Sequence, residues 1–253
     1  SKKINKVDKK NEKIILYFVD GSNDEVDYIV VSDGVFSNTK SIIEKKKFQP
    51  IYQGITAIRS LINPQLIANL DSNNISVVMG SDAHLVLYPI NQSKEINLVC
   101  LIKNRIKKDE EAISILSNTI FKENKNLINL FKGDIKSWPI YSSIKPNKSI
   151  YKNVLYIGDA FYTFLPTLAQ GASQAIESAN EVFNLINENN PDIQNIYFKN
   201  REKRTNLINK RSKFNFFGFH ISNPILKIFR NKVLKILVKN KKFINSYLGK
   251  VYK

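Results

Sequence analysis

The architecture of this chain turns on residues 154–179: Val154-Leu155-Tyr156-Ile157-Gly158-Asp159-Ala160-Phe161-Tyr162-Thr163-Phe164-Leu165-Pro166-Thr167-Leu168-Ala169-Gln170-Gly171-Ala172-Ser173-Gln174-Ala175-Ile176-Glu177-Ser178-Ala179. The apolar run Val154 to Ile157 has the length of a buried strand and runs into a Gly-Asp turn. A loop containing Pro166 follows. From Ala169 onward most residues are good helix formers, and Ala172, Ala175, Ile176 and Ala179 recur at helical spacing. A strand feeding an open helix N-terminus gathers unpaired backbone N–H groups and a partial positive charge in one place. Such a place suits an anion or an electron-rich ring. The carboxylate of Asp159, just past the strand, is placed to hold a hydroxyl-bearing ligand.

The same stretch resembles the second flavin-binding motif of the FAD-dependent aromatic-ring monooxygenases, G-D-A-A-H-x-x-x-P-x-x-x-Q-G-x-x-x-A-I-E-D-A. It is most similar to the salicylate and 3-hydroxybenzoate hydroxylase branch, which favours L-P-x-L-A-Q-G. Gly158, Asp159, Ala160, Leu165, Pro166, Leu168, Ala169, Gln170, Gly171, Ala175, Ile176, Glu177 and Ala179 match. Phe161 and Tyr162 replace Ala-His, and Ser178 replaces Asp. Other segments carry the resemblance outward from about residue 14 to about residue 224. Ser32-Asp33-Gly34-Val35-Phe36-Ser37-Asn38-Thr39-Lys40 is similar to A-D-G-x-x-S-x-x-R, with Lys40 in place of Arg. Gly54 to Arg59 is similar to G-x-x-A-W-R. Gly80 with His84-Leu85-Val86-Leu87-Tyr88-Pro89 resembles G-x-x-x-H-L-V-x-Y-P, Trp138 to Tyr141 resembles W-x-x-Y, and Phe219 to Pro224 resembles F-H-L-S-G-P.

The local signals place elements around these motifs. Residues 13–31 read as a hairpin, with Lys13 to Val19 as one strand, a turn over residues 20–24, and Val26 to Val31 as the second. Residues 75–80, 84–90 and 96–102 read as strands, and a polar helical stretch covers Glu110 to Leu130. Beyond residue 180 the chain reads as helical: Asn180 to Asn189, Ile193 to about Phe214, then a basic amphipathic helix over 225–238.

The resemblance implies an α/β fold like that of para-hydroxybenzoate hydroxylase. A partial FAD-binding domain (1–48 and 151–190) would carry an inserted, mainly antiparallel-sheet substrate domain (49–150) and a basic C-terminal helical segment (191–253). That family opens with a strand and G-x-G-x-x-G, which receives the FAD pyrophosphate. The nine glycines here offer no such pattern. The chain therefore reads as an N-terminally truncated piece, entering about a third of the way along the family's motif order.

The implied activity is hydroxylation of a phenolic or other aromatic small molecule, using FAD, NADH or NADPH as electron donor, and O2. The cofactor carries the hard chemistry, and the protein supplies orientation and electrostatics. Asp159 would accept hydrogen bonds from the ribityl chain, although a Gly-Asp carboxylate is more often a turn or helix-entry group. Gly158, Pro166, Gly171 and Ala172 would shape the flavin cradle, or simply punctuate the helix. Asp33 and Gly34 would lie near the pyrophosphate and the nicotinamide donor's path. His84 and Gln170 are the candidates for catalysis. The alternatives are a packed, satisfied histidine and a structural amide at a helix start. Tyr88, Pro166 and His220 would line the substrate pocket.

Composition bounds the rest. A chain of 253 residues can bury one or two cores. The single cysteine, Cys100, excludes an internal disulfide and fits a reducing compartment. Its apolar neighbours mark it as a structural thiol. With only two histidines and one cysteine, neither a Cys/His zinc cluster nor another metal site is expected. Residues 1–13 lack the apolar core of a signal peptide, and no uncharged apolar stretch is long enough to span a bilayer. The expected location is cytoplasmic, with peripheral contact at the inner membrane face as an addition.

The net charge of +17 is concentrated: residues 194–253 hold 16 Lys and Arg against one acid, Glu202. Three readings stand in order: a solvated helical face, weak contact with anionic lipid, and nonspecific nucleic-acid binding. Specific nucleic-acid recognition is not expected. Two rivals to the hydroxylase reading are a catalytically inactive flavoprotein remnant and a quinone-precursor hydroxylase or basic membrane-surface protein on a flavoprotein frame.

Overall fold

The computed structural model describes residues 2–67, 74–104, 110–117, 125–131 and 134–252. The strands among them, in chain order, are β1 (Ile4–Lys10), β2 (Lys13–Phe18), β3 (Asn23–Val26), β4 (Ile29–Val31), β5 (Ile51–Ile62), β6 (Ser76–Met79), β7 (Ala83–Ile90), β8 (Glu95–Ile102), β9 (Lys136–Ser142) and β10 (Val154–Tyr156). The principal helices are α1 (Asn38–Ile43), α2 (Glu110–Ser117), α3 (Gly158–Phe161), α4 (Gly171–Asn187), α5 (Ile193–Phe219) and α6 (Pro224–Leu237). The chain divides into two compact units. Residues 1–51 and 141–213 form the first, and residues 52–140 and 214–253 form the second.

In the first unit β1, β2 and β3 make an antiparallel sheet. The expected hairpin forms, but its second strand is Asn23–Val26, taking residues expected in the turn and sharing only Val26 with the expected strand Val26 to Val31. Ile29–Val31 pairs instead in parallel with β10, Val154 opposite Ile29 and Tyr156 opposite Val31. A bend at Asp27 frees Ile29–Val31 for that distant partner. Asn153 fixes the entry to β10, its side-chain amide donating to the carbonyls of Glu12 and Asp27. Gln194 does the same from α5, donating to the carbonyls of Ser149, Tyr151 and Val154.

Helices α4 and α5 are joined by a polar network. Arg201, almost fully buried, reaches Glu177 at 3.2 Å and donates to Gln174 Oε1 at 2.6 Å. Arg204 closes the other side of Glu177 through two hydrogen bonds of 2.9 and 3.0 Å. Burial works to raise the Glu177 pKa, but these two guanidiniums outweigh it and hold the carboxyl below its usual range.

The second unit is a five-stranded sheet in the order β6-β7-β8-β5-β9. The pairs β6–β7, β7–β8 and β5–β8 are antiparallel. Strand alternation sorts the side chains. On β7, Ala83, Leu85 and Leu87 enter a core with Ile96, Leu98, Cys100 and Ile102 of β8. Ala112 and Leu116 of α2 cover that core together with Leu130 and Phe131. The stretch expected to be one helix from Glu110 to Leu130 is α2 followed by a 3-10 turn at Lys125–Phe131, with residues 118–124 outside the described residues. Helix α5 continues to Phe219, beyond the expected end near Phe214.

Candidate functional site

Because β4 and β10 run parallel, both strands deliver their following loops at the same edge of the first unit. Ligands of α/β folds sit beyond such carboxyl ends. The Ile157 amide extends the pairing by donating to the Val31 carbonyl at 3.0 Å. Two of the motifs read from the sequence, Asp33-Gly34 and Gly158-Asp159, thereby become neighbours.

Gly158 leaves the strand with φ +54°, and a Cβ there would stand 3.1 Å from the Ala175 Cβ of α4. Glycine is needed on both counts. Ser178, the residue that departs from the usual Asp, completes the joint. Its Oγ accepts from the Gly158 amide at 3.1 Å and donates to the Ala175 carbonyl at 2.7 Å. Phe161 and Tyr162, the other departures, are buried. Phe161 packs edge-on against Tyr197 and Phe198, and Tyr162 packs on Phe164.

Asp159 lies in the first turn of α3. Its carboxylate faces solvent and has no hydrogen-bond partner among the described residues. Surrounding protein nevertheless partly desolvates it and pushes its pKa up. Water reaching the side chain limits that effect. Asp33 is exposed and accepts from the Thr39 amide at 3.0 Å. Gly34, at φ +83°, turns the loop back so that its carbonyl accepts from the Ser37 amide. Ser37 then caps α1 by accepting from the Lys40 amide.

Lys40 is the residue of this loop whose importance the sequence reading passed over. It is buried, with Nζ donating to the Ala160 carbonyl at 3.0 Å and standing over the rings of Phe48 and Tyr156. It thus ties the Asp33 loop to the Asp159 loop. Burial pulls its pKa down to about 8. A cavity of about 190 Å³ beside it is also lined by Lys46, Lys145, Phe48 and Asp159.

Pro166 opens a 3-10 turn ending at Ala169, which has φ +52°, and α4 begins at Gly171. The first turn of α4 contains no acidic residue, and Gly171 and Ala172 are exposed. Gly171 has ordinary φ, and a Cβ there would meet nothing within 4 Å. Neither backbone strain nor packing within the chain requires glycine at this position. The space beside it is open to a ligand. Gln170 is buried, and its Oε1 accepts from Gln174, which in turn receives Arg201.

The remaining candidates lie in the second unit. His84 and Tyr88 are both on β7, four residues apart and so on one face, opposite the leucine core. His84 Nδ1 is 2.9 Å from His220 Nε2, and His220 Nδ1 is 2.9 Å from the Phe216 carbonyl. The carbonyl can only accept, so His220 carries its proton on Nδ1 and accepts at Nε2. His84 must then donate from Nδ1, leaving Nε2 as a bare lone pair. That nitrogen is buried without a hydrogen-bond partner among the described residues. Burial holds both rings neutral, His84 down to about 3 and His220 to about 4. Asp82 steadies the partner segment, accepting from Ser222 Oγ at 2.8 Å and pairing with Lys103 at 3.1 Å.

No family model matches the chain. Curated relatives do. It is 22% identical over 175 residues to 3-amino-4-hydroxybenzoate 2-monooxygenase of Streptomyces cremeus, covering 68% of this chain and 44% of the relative. It is 27% identical over 167 residues to 3-hydroxybenzoate 6-hydroxylase 1 of Aquipseudomonas alcaligenes, covering 63% and 42%. Among solved structures, HpxO of Klebsiella pneumoniae complexed with FAD and uric acid superposes with a TM-score of 0.80 at 16% identity, over 99% of this chain and 66% of that one. A salicylate hydroxylase substrate complex superposes with a TM-score of 0.78 at 20% identity, over 94% and 66%.

The fold is that of the FAD-dependent hydroxylases. The relatives and structural neighbours are FAD-dependent aromatic hydroxylases, among them the salicylate and 3-hydroxybenzoate enzymes. The chain spans less than half the length of the first curated relatives it matches.

Proposed function

We propose that this chain acts in an FAD-dependent monooxygenase that hydroxylates a phenolic or other aromatic small molecule, with NADH or NADPH as electron donor and O2 as co-substrate. The observation that carries the reading is the joint emergence of an unpartnered Asp159 carboxylate and an acid-free α4 start at Gly171 from one connected motif. Residues 1–48 and 151–190 are assigned to FAD binding, 49–150 to the substrate domain and 191–253 to the C-terminal segment.

Bound FAD would supply the electron transfer and oxygen activation. The chain's residues hold and orient it. Asp159 accepts hydrogen bonds from cofactor hydroxyls. The amides of Gly171 and Ala172 present their dipoles to an electron-rich ring, with Gly158 and Pro166 setting the approach. Asp33 and Gly34 bound the phosphate side. His84, held neutral by burial and with its Nε2 lone pair free, would accept a hydrogen bond from a phenolic hydroxyl and orient it rather than take its proton, and His220 keeps that tautomer in place. Gln170, Tyr88 and Pro166 complete the assignments around the substrate. We place the protein in the cytoplasm, with residues 194–253 giving weak contact to an anionic membrane surface. A hydrophobic quinone precursor is a substrate class suited to that placement.

The test is flavin retention. The purified chain is incubated with FAD, desalted and read in the visible. The wild type keeps flavin bands, and Asp159→Ala and Gly171→Val lose most of them. Equal retention by all three refutes the cradle assigned here. A wild-type chain that never retains flavin refutes cofactor binding by this chain.

A further inference from the structure

Helix α6 is held to the second unit by one face and leaves another uncovered. Leu226, Val233, Leu234 and Leu237 line an apolar groove with Phe217 and Phe219. Asn223 caps the helix by accepting from the Ile225 and Leu226 amides, and Arg230 donates to the Gly218 carbonyl at 3.0 Å. Outside the groove, Ile225 and Ile236 form a stripe at helical spacing with Phe229, which also borders the groove, with exposures of 77%, 69% and 66%. Ile228 lies beside it, 60% exposed. Lys232 stands within this stripe, four residues from both Ile228 and Ile236, and Lys235 borders it. From residue 224 to 252 there are eight Lys and Arg and no acid. No helix among the described residues is long and apolar enough to cross a membrane.

We infer that α6 is an interfacial helix that lies in the headgroup plane of an anionic bilayer, with Ile225, Phe229, Ile236 and Ile228 inserted and Lys232 and Lys235 on lipid phosphates. A helix with an exposed apolar stripe and lysines whose long stems can carry their charge up to the headgroups has the chemistry of such an element. Each lysine near an anionic surface contributes about 1 kcal/mol. Charge selects this occupant over the others. A second copy would set eight cations against eight cations. A nucleic acid would satisfy the lysines but leave the Ile-Phe stripe in water. The inference rests on the reading of residues 194–253 as membrane-contacting and is independent of the flavin chemistry.

The experiment is co-sedimentation of the whole chain with vesicles of phosphatidylcholine, alone or mixed with phosphatidylglycerol, at low and raised salt. The wild type is expected on the mixed vesicles, with a bound fraction that survives raised salt. The triple variant Ile225→Gln, Phe229→Gln, Ile236→Gln lowers vesicle affinity at least about tenfold, equivalent to 1.4 kcal/mol. Because Phe229 also borders the groove, the double variant Ile225→Gln, Ile236→Gln is read beside the triple; both of its side chains lie outside the groove, so helix content and melting temperature stay as in the wild type while vesicle affinity falls. Phe229→Trp, read against the single native Trp138, shifts its emission to the blue only on mixed vesicles.

Binding that salt abolishes and the triple variant leaves unchanged overturns insertion while keeping charge contact. No binding to mixed vesicles overturns both. Self-association without vesicle binding, abolished by the triple variant, gives the stripe to a second copy and overturns the inference.

Discussion

Gly158→Ala isolates the joint on which the Asp159 loop depends. Residue 158 sits at φ +54°, where an L side chain costs about 1–2 kcal/mol. The new methyl would also stand 3.1 Å from Ala175 Cβ and 3.7 Å from Ala175 Cα, atoms of a helix that cannot swing aside as a flexible side chain would. Overpacking of this kind adds about 1 kcal/mol or more. The sum is about 3 kcal/mol, or a melting temperature lower by roughly 6–12 °C for a protein of this size. A urea titration alongside the thermal melt checks that the transition stays cooperative. Pairing the change with Ala175→Gly separates the two contributions. Removing the facing methyl should return about 1 kcal/mol of coupling in a double-mutant cycle and leave the backbone contribution in place. Stability within about 0.5 kcal/mol of wild type for Gly158→Ala would refute the reasoning. Zero coupling would refute the role given to Ala175.

Substitutions at two further positions probe groups with no role assigned from the sequence. Arg201→Met strips the buried guanidinium from Glu177 and Gln174, and about 2–3 kcal/mol of stability should go with it. The figure is below that for a fully enclosed pair because Glu177 is partly exposed and keeps Arg204. Arg201→Lys should recover less than half in denaturant titrations, since one ammonium cannot reach both partners. Lys40→Met tests the buried ammonium by its pH dependence. A folded pKa near 8, against 10.5 unfolded, means the unfolded chain binds more protons in between. The Lys40 contribution to wild-type stability should therefore climb from pH 8 to 10.5, by at most about 3 kcal/mol, less the attraction of the Phe48 and Tyr156 rings. The variant should lack that rise. A matching slope in both proteins would show that Lys40 is not desolvated.

What the sequence revealed follows how local each determinant is. Strand β10 and helix α4 were readable because an apolar run, a turn and a helix start lie within one short stretch. Strands β7 and β8 were readable from their length and β-branched content. By contrast, Ile29–Val31 looked like the continuation of a hairpin. Nothing near it announces that Val154–Tyr156 will claim it. The Lys-rich residues 4–10 read as polar chain, yet pairing with β2 makes them a strand and buries Val7. Tertiary pairing overrides propensity most easily in such segments. Arg201 and Glu177 are 24 residues apart on different helices and carried no mutual signal. His84 and His220 were each noted for separate motifs. Their shared hydrogen bond, and the bare Nε2 it creates, needed coordinates.

The parallel pairing of β4 with β10 explains why the chain is divided as it is. Antiparallel neighbours can be joined by a tight turn, but parallel strands need a crossover that carries the chain back to the starting edge. Here that obligatory excursion accommodates residues 52–140, the sheet that bears His84 and Tyr88. The two loops after β4 and β10 must then meet at one edge however the intervening segment varies, because strand direction alone brings them there. The placement of Asp33, Gly34, Gly158 and Asp159, to which cofactor binding is assigned in the proposed function, is thus fixed by backbone pairing. On the proposed function, residues carried on the excursion are free to change with the molecule being recognised. On this argument, substitutions at Gly158 or Lys40 should impair cofactor retention irrespective of the aromatic compound supplied. Substitutions on the Tyr88 face of β7 should alter which compound is accepted and leave flavin retention unchanged.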